Sequence, residues 1–176
     1  MTNSIENTVF SIIVLIYSII IHEVAHGYVA YKLGDKTAFH AGRLSLNPIS
    51  HLDMFGSVFV PVITTFLGWG SFGWAKPVPV NPYNLRTKYA DFWVSAAGIA
   101  ANLALFAVSY AAVLIILHGN QSPFLSISPE ILLNGAFTVM YVNLSLAIFN
   151  LIPVPPFDGM NILRSLIPSL KSKYFS

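Results

Sequence analysis

Long apolar stretches alternate with short polar segments along this chain, at residues 9–31, 54–75, 92–117 and 131–152. A helix that crosses a bilayer needs about 20 mostly apolar residues, and each stretch is long enough. Glu23 is the one charged side chain within the four stretches. The pattern predicts an all-α integral membrane protein with three core transmembrane helices and an additional membrane-embedded segment at 54–75.

The stretch 54–75 differs from the other three because Pro61 interrupts it and three glycines loosen its end. The basic side chains add a second argument. All nine lie in segments 32–53, 76–90 and 164–176, and Lys and Arg favour the cytoplasmic side of a membrane. If 54–75 enters the membrane and returns on the same side, all three basic segments face the cytoplasm. We therefore expect a re-entrant or broken segment there.

Two of the polar segments alternate apolar and polar residues, as β-strands do. They are residues 42–48 and 76–82, and both end in Asn-Pro, a turn signal. The prolines of the second segment confine it to a sheet edge or an extended loop. The alternation predicts short interfacial β-strands at 42–47 and 76–81, or an extended flap.

The composition agrees with membrane insertion, because 9% of the 176 residues are charged against about 25% in soluble domains. The mean hydropathy is +0.68. A net charge of +2 is too small to indicate a nucleic-acid partner. The sequence contains no internal repeat or long linker, so we expect residues 1–176 to form a single membrane-embedded domain. Since the chain has no cysteine, a tight metal site has to use His, Asp or Glu.

His22, Glu23 and His26 form the pattern H-E-x-x-H within the first apolar stretch. Two histidines at i and i+4 project from one face of a helix and can share a metal ion, and the glutamate beside them can act as a general base. An ionisable side chain at membrane depth is costly, so it marks a candidate functional site. The pattern predicts a zinc site with His22 and His26 as ligands.

A third protein ligand is expected, because zinc in hydrolases usually has three protein ligands and one water. Asp158 is the best candidate among the remaining acids, since it follows the fourth apolar stretch and a proline-rich break at 153–156. An unwound segment is tolerated at membrane depth where it lines a cavity, and Gly159 permits an unusual backbone angle. An even number of crossings between His26 and Asp158 would bring them to one level. The alternative is an ordinary helix-ending turn with Asp158 on the surface.

The chain resembles the site-2 protease family of intramembrane zinc metalloproteases, and in particular its short prokaryotic branch. The resemblance rests on His22-Glu-Val-Ala-His26 and on Asn150-Leu-Ile-Pro-Val-Pro-Pro-Phe-Asp158-Gly159, with shorter matches at 42–48, 73–82 and 97–102. It implies that His22, His26 and Asp158 bind Zn²⁺ and that Glu23 is the catalytic base. It also implies a multi-pass protein of the cell membrane whose substrates are transmembrane or membrane-adjacent segments of other proteins.

Further candidate residues follow from this resemblance. Asn150 matches the family asparagine that precedes the Asp-Gly pair, and its amide could donate to a developing oxyanion. Helix–helix hydrogen bonding is the alternative for Asn150. For Asn102, close helix packing and substrate binding both stay open. If an unwound substrate pairs with the edge of the expected strands, Leu44 and Val78 are candidate substrate contacts.

His51 and Asp53 form a second polar pair, just before the stretch 54–75. A helix cap or interfacial turn with Asp53 as the acceptor is the favoured interpretation. A water path or a second metal site are the alternatives.

Three functions remain open at this point. The favoured one is hydrolysis of peptide bonds in or near transmembrane segments, by zinc-activated water with Glu23 as the base. A catalytically silent zinc-binding membrane protein would keep the metal without needing Glu23. A metal transporter would need several exchangeable sites, whereas the chain offers one convincing ligand set. The expected partners are a transmembrane protein substrate and the lipid bilayer, and the sequence does not indicate an oligomeric state.

Overall fold

The computed structural model describes residues 2–60, 63, 67, 76–118 and 128–167. Its helices in chain order are α1 (Thr2–Lys32), α2 (Thr37–His40), α3 (Ala90–His118), α4 (Pro129–Leu151) and α5 (Asp158–Leu166). Short helical turns form at Pro48–His51, Met54–Phe59 and Pro82–Asn84. Within these described residues, α1, α3 and α4 are long and apolar enough to cross a membrane. The prediction of three core transmembrane helices therefore agrees with the structure.

The three long helices form a bundle in which α1 and α4 run in the same direction and α3 runs against both. Residue numbers rise together along α1 and α4, since Phe10 lies beside Gly135 and Ser18 beside Asn143. They run in opposite directions along α1 and α3, since Ser18 contacts Asn102 and His26 contacts Val94. The last turns of α1 and α4 and the first turn of α3 consequently lie at one end of the bundle, which we call the Lys32 end.

The bundle exposes large apolar side chains and buries several polar ones beside a small apolar core, unlike a soluble helical protein. Ile115 and Ile148 project from α3 and α4 with 70% and 56% of their surface exposed. In the interior, Ser18 is 3% exposed, and Asn102 and Asn143 are 0% exposed. An apolar exterior suits contact with lipid tails, where helices associate through packing and interhelical hydrogen bonds.

The chain between α1 and α3 leaves and returns at the same end of the bundle. The carbonyl of Leu33, just after α1, accepts a hydrogen bond from the N–H of Arg86, just before α3, at 3.1 Å. The segment 34–85 therefore starts and finishes at the Lys32 end. The re-entrant path expected for 54–75 falls mostly on residues 61–62, 64–66 and 68–75, which lie outside the described residues.

Asp53 and His51 shape the turn that enters this region. Asp53 Oδ1 accepts a hydrogen bond from the N–H of Gly56 at 2.7 Å and caps the helical turn Met54–Phe59. The prediction of Asp53 as a cap acceptor is confirmed. The His51 ring is 2% exposed, and its Nε2 donates to the carbonyl of Ser45 at 2.7 Å.

Asp35 ties the segment 34–85 to the end of α1. Its buried carboxylate accepts hydrogen bonds from Thr37, from the N–H of Asn81 at 2.7 Å and from the Asn84 amide at 2.9 Å. Burial alone would raise the pKa of this carboxyl group. The hydrogen bonds from Asn84, Thr37 and Asn81 stabilise the anion more strongly, so they hold the pKa of Asp35 below its usual value.

The prediction of short interfacial β-strands at 42–47 and 76–81 is wrong, because the described residues there form no strand. Side chains occupy the backbone groups that a strand ladder would need. The N–H of Val78 donates to the carboxylate of Glu23, and the guanidinium of Arg43 donates to the two carbonyls that precede Val78. The alternating pattern therefore belongs to an extended loop held by polar side chains.

Candidate metal centre

His22 and His26 lie one turn apart on α1 and face Asp158, the first residue of α5. The two Nε2 atoms are 3.0 Å apart, and each is 3.1 Å from Asp158 Oδ2. His22 is 6% and His26 is 9% exposed. The crossings made by α3 and α4 bring Asp158 back to the level of the two histidines, as expected for an even number of crossings.

Hydrogen bonds on the far side of each imidazole decide which nitrogen faces Asp158. His26 Nδ1 lies 2.6 Å from the carbonyl oxygen of Val94, which can only accept, so Nδ1 carries the proton and donates it. His22 Nδ1 donates to Oδ1 of Asn102 at 2.6 Å. In the neutral imidazoles both Nε2 atoms are then unprotonated.

Three electron-pair donors, His22 Nε2, His26 Nε2 and Asp158 Oδ2, therefore converge on one small space. Asp158 Oδ2 is buried, and no described group donates a hydrogen bond to it. Lone pairs at this separation repel each other unless a cation lies between them. A tetrahedral zinc ion, with bonds of about 2.0–2.2 Å, holds its ligand atoms about 3.3–3.6 Å apart. The observed spacing is close to this value, and two imidazoles with one carboxylate are a ligand set that zinc accepts.

Gly98 on α3 makes room for both imidazoles. A Cβ atom at this position would lie 2.5 Å from His26 Nε2 and 2.6 Å from His22 Nε2, distances that real Cβ atoms essentially never show. The contact of Gly98 with the histidines was not predicted from the sequence. The available signal was its spacing of four residues from Asn102, which places both on one face of α3 but does not show which helix that face meets.

The proline-rich break after α4 carries Asp158 to the histidines. Helix α4 ends at Leu151, and α5 begins at Asp158 after residues 152–157. A Cβ on Gly159 would collide with the backbone of Leu151. Gly159 was expected to adopt an unusual backbone angle, but among the described residues Gly34 and Gly42 are the glycines with positive φ. Gly159 is therefore needed for close approach between α5 and the end of α4.

Glu23 points toward the loop that precedes α3 rather than into the ligand triad. Its Oε2 accepts the N–H of Val78 at 2.9 Å. Glu23, His26 and Asp158 line the same cavity of about 500 Å³, together with Val78. One oxygen of the Glu23 carboxylate is hydrogen-bonded to the loop. Beside side chains that can bind a metal, such a carboxylate has the chemistry of a general base.

Comparisons with known proteins identify the family. The model for "Peptidase family M50" matches residues 126–176. YwhC of Bacillus subtilis, whose name is "Putative zinc metalloprotease YwhC", is 40% identical over 161 residues, which span 90% of this chain and 69% of YwhC. The chain belongs to peptidase family M50, the site-2 protease family.

More distant M50 relatives agree with this assignment. Rip2 of Mycolicibacterium smegmatis is 29% identical over 84% of this chain and 53% of its own length. Rip3 of Mycobacterium tuberculosis is 32% identical over 88% of this chain and 30% of its own length. Both carry the same zinc metalloprotease description as YwhC. No solved structure matches the chain significantly. This M50 peptidase is accordingly a zinc metalloprotease.

The remaining candidate residues of this M50 peptidase lie at varying distances from the triad. Asn102 contacts His22 directly and is 0% exposed, and its contact with a substrate stays a prediction. Asn150 donates its amide to the carbonyl of Leu146, one turn earlier on α4. Its oxyanion role stays a prediction that this contact does not test.

Leu44 and Val78 both pack on α1 beside the site. A Cβ on Gly27 would meet the side chains of Val78 and Leu44 at 2.6 Å and 2.7 Å. Val78 is 8% exposed. Their substrate contacts remain predictions, and their packing shows that they hold the loop against the helix that carries Glu23.

Proposed function

We propose that this M50 peptidase hydrolyses peptide bonds in or next to transmembrane segments of other membrane proteins, as a multi-pass protein of the cell membrane. The observation that carries the proposal is the convergence of His22, His26 and Asp158 inside a bundle with an apolar exterior. At 1.5 Å of rise per residue, His26 and His22 lie about 9 and 15 Å along α1 from its C-terminal residue. A site at this depth favours substrates that enter from the bilayer or its interface.

His22, His26 and Asp158 are the proposed zinc ligands. Their support is the donor set itself, since two unprotonated imidazole nitrogens and an orphaned carboxylate oxygen lie within 3.1 Å of one another. Zinc bound there supplies a Lewis acid that polarises the scissile carbonyl and lowers the pKa of water to about 7.

Glu23 is the proposed general base. It lines the same cavity as His26 and Asp158, and the N–H of Val78 limits the rotation of its carboxylate. In this role Glu23 accepts the proton of the attacking water and then delivers it to the leaving amine. The substrate has to be locally unwound, because the peptide bonds of an intact helix are shielded by their own turns.

The site is proposed to face the cytoplasmic half of the membrane. The basic side chains of the described residues lie at the end of α1, between α1 and α3, or after α4. They are Lys32, Lys36, Arg43, Lys76, Arg86, Lys88 and Arg164. These segments all lie toward the Lys32 end, and Lys and Arg favour the cytoplasmic side.

The test is cleavage by Glu23→Gln in proteoliposomes that contain a panel of single-span test proteins. We expect at least a 100-fold loss of turnover with zinc content unchanged, because the amide cannot accept the proton of water. Glu6→Gln is the matched control, since Glu6 is an exposed glutamate on the same helix. Retained turnover in Glu23→Gln would refute the general-base role.

The same experiment separates the rival functions. A silent zinc-binding protein predicts zinc without cleavage in the wild type. A transporter predicts zinc flux into vesicles without cleavage, and it is less well supported because the described residues offer one group of three metal-type ligands.

A further inference from the structure

Three buried polar side chains connect the metal centre to the middle of the bundle. Ser18 on α1, Asn102 on α3 and Asn143 on α4 are 3%, 0% and 0% exposed. Polar side chains are costly at membrane depth and tend to be functional there. We infer that these three residues, which we call the polar relay, hold His22 in the tautomer that presents an unprotonated Nε2 to the metal.

The orientation of the Asn143 amide is fixed by a backbone carbonyl. Val139 O can only accept, and it lies 2.9 Å from one side-chain end of Asn143, so that end is the amide nitrogen. The same nitrogen donates to Ser18 Oγ at 3.0 Å. The opposite end of Asn143 is therefore its oxygen, and it faces Asn102.

The orientation of Asn143 then determines the orientation of Asn102. The Asn143 oxygen accepts from Asn102 Nδ2 at 2.9 Å, and the backbone carbonyl of Ser18 lies 3.4 Å from the same nitrogen. Two acceptors on one side of Asn102 exclude its oxygen from that side. Asn102 Oδ1 consequently faces His22 Nδ1 at 2.6 Å.

An acceptor at this position requires the His22 proton to sit on Nδ1. If the Asn102 amide turned over, its nitrogen would face Nδ1, and the imidazole would move its proton to Nε2, where it blocks metal binding. Partners behind a histidine ligand commonly change metal affinity 10- to 100-fold. The polar relay thus makes Asn102 and Asn143 positioning residues, and neither needs to touch the substrate.

The relay differs from the arrangement at the second histidine. His26 Nδ1 donates directly to the backbone carbonyl of Val94, so its tautomer needs no side chain. Loss of the relay should therefore weaken one ligand of three and reduce zinc affinity without abolishing it.

The test is the zinc dissociation constant of the full chain in detergent, measured by chelator competition without substrate. We expect Asn102→Leu to weaken zinc binding 10- to 100-fold and Asn143→Leu to weaken it at least threefold. Asn134→Leu is the matched control, because Asn134 is an exposed asparagine on the same helix as Asn143. Its zinc affinity should stay within twofold of the wild type.

A double mutant distinguishes positioning from simple packing. If Asn143 acts through Asn102, Asn102→Leu with Asn143→Leu should bind zinc as Asn102→Leu does alone, whereas independent packing losses would add. Additive losses, or an Asn143→Leu protein with unchanged zinc affinity, would overturn the relay.

The inference rests on the proposed zinc ligands but not on proteolysis. His22→Ala is measured alongside to keep the two apart. Unchanged zinc in His22→Ala contradicts the proposed site, whereas zinc lost in His22→Ala but kept in Asn143→Leu contradicts the relay alone. If Asn143→Leu does not fold, Asn143→Ala replaces it, since it removes the same amide without adding a branched side chain.

Discussion

Replacement of Gly98 by alanine should weaken the metal centre without removing any ligand. The new methyl group would lie 2.5–2.6 Å from the two imidazoles, well short of the 3.4 Å at which ordinary contact begins. The histidines cannot turn away freely, because Asn102 and Val94 hold their Nδ1 atoms at 2.6 Å. Both of these partners belong to α3, so a retreat of α3 would withdraw them together.

The size of the effect follows from the overlap. An inserted methyl group in a packed interior costs about 1–3 kcal/mol, which corresponds to about 5- to 150-fold in a binding constant. We expect Gly98→Ala to weaken zinc binding within this range, measured by chelator competition. The helix itself should gain about 0.5–1 kcal/mol from the exchange of glycine for alanine, so loss of zinc should not be accompanied by loss of helix content.

Gly135→Ala on α4 is the matched control. The nearest atom to its new methyl group would be Phe10 Cζ at 3.7 Å, an ordinary contact. Gly135→Ala should therefore bind zinc as the wild type does and unfold at the same or a slightly higher temperature. A Gly98→Ala protein that binds zinc within twofold of the wild type would show that Gly98 does not set the space for the imidazoles.

Three further substitutions test other parts of the fold. Gly159→Ala should lower zinc affinity at least tenfold, because its methyl group would collide with the backbone of Leu151 and displace Asp158; unchanged affinity in chelator competition would contradict this. Arg43→Lys should lower proteolytic turnover severalfold with zinc content retained, because lysine cannot reproduce the branched set of donors that holds the loop before α3; equal turnover in proteoliposomes would exclude the loop as a support for Glu23. The pKa of Asp35 is held below its usual value, so its stabilising effect is fully present above about pH 4 and disappears as the pH falls through the lower folded-state value. Asp35→Asn should therefore unfold at a lower temperature than the wild type at pH 7, with the difference shrinking below about pH 4; a difference independent of pH would argue against this.

The convergence of His22, His26 and Asp158 was open to prediction because its parts are local. Two histidines at i and i+4 share a helix face whatever the tertiary structure, and a break of three prolines before Asp158 marks the end of a span in the sequence itself. The even number of crossings then constrained their common depth.

The residues around the three side chains could not be predicted from the sequence, because their contacts depend on how the helices pack against one another. Gly98, Asn102 and Asn143 face α1 only in the register that the packed bundle adopts, and no local pattern specifies that register. The strand prediction failed for a related reason. Alternation of polar and apolar residues also describes a loop whose N–H and C=O groups bind polar side chains, and the partners Glu23 and Arg43 are distant in sequence from the loop at 76–78.

The bond from Val78 to Glu23 has a consequence for sequence variation in this loop. The donor is a backbone amide, so any amino acid except proline can supply it. Pro77 and Pro79 flank the position without occupying it. A different side chain at 78 would therefore leave this hydrogen bond available, although packing against α1 limits its size, and a proline shifted by one residue in either direction would remove the bond. Among related chains, the absence of proline at this position reports on the tie to Glu23, whereas the side chain reports on packing against α1.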